Sequence, residues 1–529
     1  MKEEIRKKMQ EAVLKIVPDL FHKKEMIPDF SVEYADDKFG DYSTNAAMIL
    51  AKAIGEEPGE ITEKIIKRIK RNEIIEKVEF AKPGFINFKI ALPYWQKQIP
   101  GIINAGKNYG KSDLGKDLKV NIEFISANPT GPLTIGNARG GVIGDTMANI
   151  FAKTGWQVTR EYYFNDAGGQ IDILGHSILK DNEAQYRGDY IDELRQKIKT
   201  DDYKEAGRQA AQEIIGGIKE TTESVGIKFD VWFAEGKDLR EKGKIDEAIK
   251  WLRAKDLAYD KEGAVWFRST KFGDDKDRVL IKSTGEPTYF ASDAAYHRNK
   301  FEERKFDFAI DVWGADHYGD IARIKGFVKA LGHENTFEVI LHQFVRIIVE
   351  GKEVRMSKRT GQFVAVDDLL KEVGKDVYRF FMLNYDLNSH INFDLKLAKE
   401  RSEKNPVFYI QYAHARINSI LAKLKTQSSN VKTTTKNLEL LDSPAEIGLI
   451  KQLIKLPELV LEIVDDYQVQ KLPAYSIELA RAFHNFYEEC PILQAEENLK
   501  NARLKLVRAT QIVLKNTLDL MGVSAPERM

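Results

Sequence analysis

KVNIEFISANPTGPLTIGNARGGVIGDTMANIFAKTGWQVTREYYF, residues 119–164, decides the fold. KVNIEFI (119–125) has the apolar, β-branched character of a buried strand. The Gly/Pro-rich turn SANPTGPL follows, and IGNARGGVIGDTMANIFAKTG then repeats apolar residues at helical spacing. QVTREYYF (157–164) is a second strand. Strand, helix and strand in this order make a βαβ unit, the building block of parallel, doubly wound sheets.

The alternation of strand and helix runs outward from this unit to about residue 385. DFAIDVW (307–313) and EVILHQFVRIIV (338–349) are strand-like, and the charged stretch at about 180–280 reads as a mostly helical insertion. Upstream, MKEEIRKKMQEAVLKIV is an amphipathic helix with Ile5, Met9, Val13 and Ile16 on one face. VEFAKPGFINFKI (78–90) is strand-like, and NAGKNYGKSDLGK (104–116) is a connection. Downstream of 386 the periodicity is helical, as in PVFYIQYAHARINSILAKL (406–424) and ARLKLVRATQIVLKNTLDLMG (502–522), with SSNVKTTTKN (428–437) as a polar loop. The expected organisation is a small α+β domain at 1–110, a Rossmann-like parallel-sheet domain at 111–385 and an all-α bundle at 386–529.

Composition narrows the function classes. Lys+Arg and Asp+Glu are equal at 81 each, so net charge does not announce a nucleic-acid partner and any RNA contact has to be local. No apolar run is long enough to cross a bilayer, and the first residues lack a signal core, so no membrane association is expected. The single cysteine, Cys490, excludes an intramolecular disulfide and offers no metal cluster, which fits a reducing, cytoplasmic setting.

Two segments carry chemistry. Ala127-Asn128-Pro129-Thr130-Gly131-Pro132-Leu133-Thr134-Ile135-Gly136-Asn137 lies between a strand and a helix, where open parallel sheets bind ligands. Free N–H groups at the helix N-terminus favour phosphate, and Gly136 permits a nucleotide to approach the backbone. Arg355-Met356-Ser357-Lys358-Arg359-Thr360-Gly361 sets three cations beside a hydroxyl and a glycine, a composition able to wrap a triphosphate. Alone, the first segment reads sooner as an ordinary βα turn, and the second equally well as a solvated basic hairpin.

Together they resemble the paired "HIGH" and "KMSKS" signatures of class I aminoacyl-tRNA synthetases, here Thr134-Ile135-Gly136-Asn137 and Arg355-Met356-Ser357-Lys358-Arg359. EFISANPTGPL (123–133), REYYFNDAGGQI (160–171), TYFASDAAYH (288–297), WGADHYGD (313–320), NPVFYIQYAHARI (405–417), FGDYSTNAAM (39–48) and GVSAPERM (522–529) extend the likeness over nearly the whole chain. All of these resemble arginyl-tRNA synthetases of bacterial type. The resemblance implies an enzyme that uses ATP with Mg2+, and no tightly bound metal, to activate L-arginine and join it to its tRNA. It also implies a cytoplasmic monomer that usually needs bound tRNA before the first step. Thr134, Asn137 and Lys358 are then the catalytic candidates, and Gly136, Thr134, Asn137, Met356, Ser357 and Lys358 bind ATP. Glu123, Ser126 and Asn128 hold the amino and carboxylate groups of arginine, Tyr289 and Asp293 its guanidinium, and Asp316 and His317 border the pocket. Phe85 and Asn87 match positions that touch the tRNA elbow. Tyr409 and Arg416 match the anticodon-binding helix, and Met529 ends a segment near the anticodon loop.

One feature departs from the family pattern: Thr134 and Asn137 replace both signature histidines. Each keeps a hydrogen-bond donor but loses any cationic form. A catalytically weak or inactive tRNA-binding relative is the alternative this leaves open, and a class I synthetase of another specificity is the second.

Overall fold

The structure, a computed structural model, describes residues 1–18, 20–69, 72–349, 352–354, 365–425 and 435–529. Near the N-terminus, four strands, β1 (Val32–Tyr34), β2 (Tyr42–Thr44), β3 (Ile75–Ala81) and β4 (Phe85–Ile90), pair antiparallel in the order β1-β2-β4-β3. On β4, Ile86, Phe88 and Ile90 are buried while Phe85 and Lys89 face outward, the period-2 alternation of a half-covered sheet. The stretch 78–90 is therefore a hairpin rather than one strand, because Pro83 and Gly84 interrupt the ladder. Helix Lys2–Ile16 buries Ile5, Met9 and Val13 as its spacing predicts.

This sheet belongs to a compact unit formed by Met1–Tyr109, Ile417–Glu458 and Arg481–Val513. Within it, Asp41 pairs with Lys451 at 2.6 Å, and Gln96 donates to the Leu441 carbonyl at 3.1 Å. Of residues 386–529, Ile417–Glu458 and Arg481–Val513 fall in this unit.

The second unit comprises Gly110–Arg416, Leu459–Ala480 and Leu514–Met529. Its centre is a five-stranded parallel sheet of β5 (Lys119–Phe124), β6 (Gln157–Phe164), β7 (Val231–Ala234), β11 (Phe308–Gly314) and β12 (Phe337–His342), in the order β12-β11-β5-β6-β7. Three antiparallel strands, β8 (Ala258–Lys261), β9 (Ala264–Phe267) and β10 (Arg278–Ile281), form a separate small sheet. The stretch 180–280 is therefore more β-rich than its charged, helix-like pattern predicts, and β7 belongs to the parallel sheet itself. Strand-like 338–349 divides into β12 and β13 (Val345–Val349); β13 pairs with β14 (Lys352–Val354) and β15 (Ile391–Asp394).

Helix Ile135–Lys153, which follows β5, is buried on nearly every side. Glycines make that fit: a Cβ on Gly144 would sit 2.2 Å from the Phe124 ring. Arg379, fully buried on helix Lys375–Leu383, holds the middle of this helix. It donates to the Asp145 carboxylate at 2.6 Å, the Met521 carbonyl at 2.7 Å and the Val225 carbonyl at 3.3 Å.

Candidate active site

The chain leaves β5 in one direction to β6 and β7, and later returns on its other side as β11 and β12. The strand order reverses there, so the carboxyl ends of β5 and β11 form the crevice where doubly wound sheets take ligands. The backbone is strained at that point. Ile125 (φ 67°) and Ser126 (φ 43°) are consecutive non-glycine residues in the left-handed region. The kink turns the Ser126 hydroxyl back onto Glu123 Oε1 at 2.9 Å, where it also accepts from Tyr163 N–H at 3.1 Å. Asn128 is pinned by Gln170 at 2.8 Å and by the Asn165 N–H at 3.3 Å.

Thr134 is the N-cap of helix Ile135–Lys153. With Asn137 it makes a reciprocal capping box: Thr134 Oγ1 accepts from Asn137 N at 3.5 Å, and Asn137 Oδ1 accepts from Thr134 N at 3.3 Å. The Thr134 hydroxyl also donates to Asn137 Oδ1 at 2.7 Å, which leaves Asn137 Nδ2 without a partner among the described residues. The two residues that replace the signature histidines thus cap their own helix and still present a donor at its positive end. A Cβ on Gly136 would have only Thr134 Oγ1 nearby, at 3.8 Å, so the space before the first turn is open. Ala365 forms an isolated bridge with Thr134, and Val366 N–H donates to Leu133 O at 3.2 Å. Met356, Ser357 and Lys358 lie outside the described residues.

The register of the sheet sets Glu161, Glu123 and Asp311 side by side on β6, β5 and β11, pointing to one face. All three are buried. Three aligned carboxylates away from water need cations, and helix Tyr289–Arg298 with the turn that follows supplies them. Lys300 Nζ, fully buried, reaches Glu123 at 2.7 Å and Asp311 at 2.6 Å. Arg304 and the Tyr296 hydroxyl both pair with Glu161. His297 contacts Asp311 at 3.0 Å and the Asp293 carbonyl at 2.8 Å. Burial and Asp311 raise the Glu123 carboxyl. Burial acts the same way on Asp311, but Lys300 and His297 outweigh it and hold that carboxyl down.

Asp293 stands apart from this balanced cluster. It lies one helical turn after Tyr289 and one before His297, partly buried, with no hydrogen-bond partner for its carboxylate among the described residues. Burial pushes its carboxyl up to about 7 from 3.8; His297 and Arg323 pull it down, and Glu235 and Glu123 add to the rise. Tyr289, the first residue of the helix, is 60% exposed. Asp316 and His317 lie in the turn Ala315–Asp320 at the end of β11. There His317 contacts Asp320 at 3.3 Å, and Asp320 pairs with Arg323 at 2.9 Å. The structure therefore brings Glu123, Ser126, Asn128 and Asp293 to one rim. Lys300, Asp311, His297, Glu235 and Arg323 complete the wall, and sequence reasoning missed them. A usable signal was present: acidic residues inside buried-strand patterns demand cations, and Lys300 and Arg304 sit four residues apart.

Of the RNA candidates, Phe85 is exposed on the open face of the N-terminal sheet, and Asn87 on that face is mostly covered. Tyr409 and Arg416 lie on helix Pro406–Lys425, where Arg416 stacks over the Tyr412 ring at 4.6 Å and bonds its hydroxyl at 2.8 Å. Met529 is exposed. No helix among the described residues is long and apolar enough to cross a membrane.

Residues 2–90 match the arginyl tRNA synthetase N terminal domain family, 98–199 and 189–386 the class I (R) tRNA synthetase catalytic domain, and 410–529 the DALR anticodon binding domain. The chain belongs to the arginyl-tRNA synthetase family. An arginine–tRNA ligase of Caldanaerobacter subterraneus is 42% identical, with 100% of this chain and 99% of that protein covered. One of Heliobacterium modesticaldum is 40% identical over the same shares. Arginyl-tRNA synthetase from Thermus thermophilus superposes with a TM-score of 0.81 at 22% identity, covering 100% of both chains. The fold also matches that from Plasmodium falciparum, with a TM-score of 0.80 at 20% identity, covering 100% of this chain and 99% of that one.

Proposed function

We propose that this family member performs arginylation at the β5/β11 crevice. L-Arginine is activated with ATP, and the activated arginyl group passes to the terminal adenosine of its tRNA. The observation that carries the reading is Asp293, a recessed carboxylate without a neutralising partner among the described residues, one turn from Tyr289 and facing the Glu123 wall. A guanidinium brings a planar fork of donors that matches such a carboxylate bidentately. A neutral side chain would leave Asp293 desolvated and unpaired, at roughly 3–5 kcal/mol, which is selectivity of two to three orders of magnitude.

In this reading Glu123 receives the α-ammonium group, while Ser126 and Asn128 orient the carboxylate. Asp316 and His317 border the pocket from the end of β11. ATP, arriving as its magnesium complex, places its phosphates at the N-terminus of helix Ile135–Lys153. Asn137 Nδ2 and the free N–H groups of the first turn donate to them there, joined by the Thr134 hydroxyl once it turns away from Asn137 Oδ1. The arginine carboxylate oxygen attacks the α-phosphate, and magnesium pyrophosphate departs with Lys358 neutralising it; the chain that follows Lys358 rejoins the described fold at Ala365, bridged to Thr134. A ribose hydroxyl of the tRNA then attacks the adenylate carbonyl and releases AMP. Positioning and preorganised charge carry both steps, with no covalent enzyme intermediate. Phe85 and Asn87 contact the tRNA elbow, and Tyr409, Arg416 and Met529 the anticodon arm. The enzyme works in the cytoplasm as a monomer.

The donors kept at positions 134 and 137 support full activity over a merely tRNA-binding relative. Amino-acid-dependent pyrophosphate exchange, run with and without tRNA across the twenty amino acids, tests the whole reading. Exchange driven by arginine alone is the expected result, and exchange driven by another amino acid, or none at all, overturns it.

A further inference from the structure

The geometry points to Lys300 as the positioning residue that makes Glu123 a receptor for the α-ammonium group of the substrate. This deepens the reading in which Glu123 takes that group, and rests on it.

Glu123 cannot adopt a useful state unaided. It is buried between two other carboxylates of the same sheet row, and burial together with Asp311 favours its neutral form. A neutral carboxyl is a poor partner for an ammonium ion. Lys300 counters both pressures: its ammonium group bridges Glu123 Oε2 at 2.7 Å and Asp311 Oδ1 at 2.6 Å, and it lies 4.4 Å from the centre of the Tyr296 ring. On the other side, the Ser126 hydroxyl holds Oε1 at 2.9 Å. The carboxylate is therefore held at both oxygens, and Lys300 opposes the upward push of burial and Asp311. Lys300 itself is fully buried and out of reach of a substrate, so its influence passes through Glu123.

The test compares two ligands on the full chain by calorimetry: L-arginine and 5-guanidinopentanoate, which lacks only the α-amino group. Wild-type protein is expected to bind arginine about 100-fold more tightly than the analogue. In Lys300→Met that preference falls to about tenfold or less, because arginine weakens while the analogue keeps its affinity. Equal weakening of both ligands means Lys300 merely supports the fold, and overturns the proposal. An unchanged preference overturns it too. If wild type shows no preference, the assignment of Glu123 fails first, independently of Lys300. Lys300→Gln removes the charge while keeping a donor of similar length beside both carboxylates. It should lower the preference in the same direction, so the proposal stays open to refutation if Lys300→Met does not fold.

Discussion

Arginine should bind more tightly as pH rises, and Asp293 sets the size of the effect. Its carboxyl titrates near 7 against an ordinary 3.8. Keeping it ionised in the empty site therefore costs about 4 kcal/mol. A guanidinium paired with both oxygens restores an ordinary acidity, so arginine binding drives off whatever proton the site holds. With a free-site value of about 7 and a bound value below about 5, the Kd for arginine rises roughly tenfold between pH 8 and pH 6. About half a proton leaves per arginine bound at pH 7. The charged groups around the carboxylate are His297 and Arg323, which lower its pKa, and Glu235 and Glu123, which raise it; the Asp293→Asn variant isolates its share of the titration. The assay is calorimetry at pH 6, 7 and 8 in two buffers of different ionisation enthalpy. A Kd that stays flat over this range, with no buffer-dependent heat at pH 7, refutes the reasoning. The same shift has a consequence for the empty protein. The folded state holds a proton between pH 3.8 and 7 that the unfolded chain has already lost, so stability increases as pH falls through 7. Asp293→Asn should therefore stabilise the empty protein at pH 8, by up to about 4 kcal/mol, while removing arginine binding.

Replacing Lys358 by Ala should slow arginyl-adenylate formation by about 2–4 kcal/mol of transition-state stabilisation, read as kcat in aminoacylation with arginine affinity unchanged. Thr134→Val deletes the cap of helix Ile135–Lys153 and one phosphate donor. Chemical denaturation should show a loss of about 1 kcal/mol, and the KM for ATP should rise. Arg379→Met leaves Asp145 with Arg160 alone, at 3.3 Å, and strips a donor from the buried Met521 and Val225 carbonyls, so a loss of roughly 3 kcal/mol in unfolding free energy is expected. Phe85→Ala should weaken tRNA binding by about 1–3 kcal/mol in a filter assay without moving the arginine Kd, if its exposed ring stacks on a base.

Much of the parallel-sheet core was legible because it is local. The strand at 119–125, the helix from 135 and the strand at 157–164 announce themselves through apolar spacing and a Gly/Pro turn, and β5, β6 and the intervening helix follow those bounds within a residue or so. Boundaries inside continuous apolar runs were not legible. EVILHQFVRIIV breaks at Gln343–Phe344 into strands of different sheets, and nothing in its periodicity marks the break. β7 is four residues long, too short for a periodic signal, and acquires its place from partners on β6 that lie about seventy residues earlier. The candidate site divides the same way. Asp293 and Tyr289 share a helix, so their spacing was enough to pair them. The Lys300 bridge joins residues 177 positions apart, and only the sheet register brings them together. Thr134 and Asn137 read as phosphate donors from the motif alone. Their mutual capping is equally local and was readable from Thr-x-x-Asn ahead of an apolar run, although the family pattern drew attention away from it.

The buried guanidinium of Arg379 ties together parts of the chain that the ribosome delivers at different times. One of its acceptors, the Met521 carbonyl, lies 142 positions further along. At ordinary elongation rates that is roughly 7–30 s of waiting during synthesis, with a desolvation-prone cation and a half-finished nucleotide fold exposed to the cell. Slow translation or a nascent chain stalled in that interval should therefore make this protein a client of chaperones, even though its sheet is complete by residue 342.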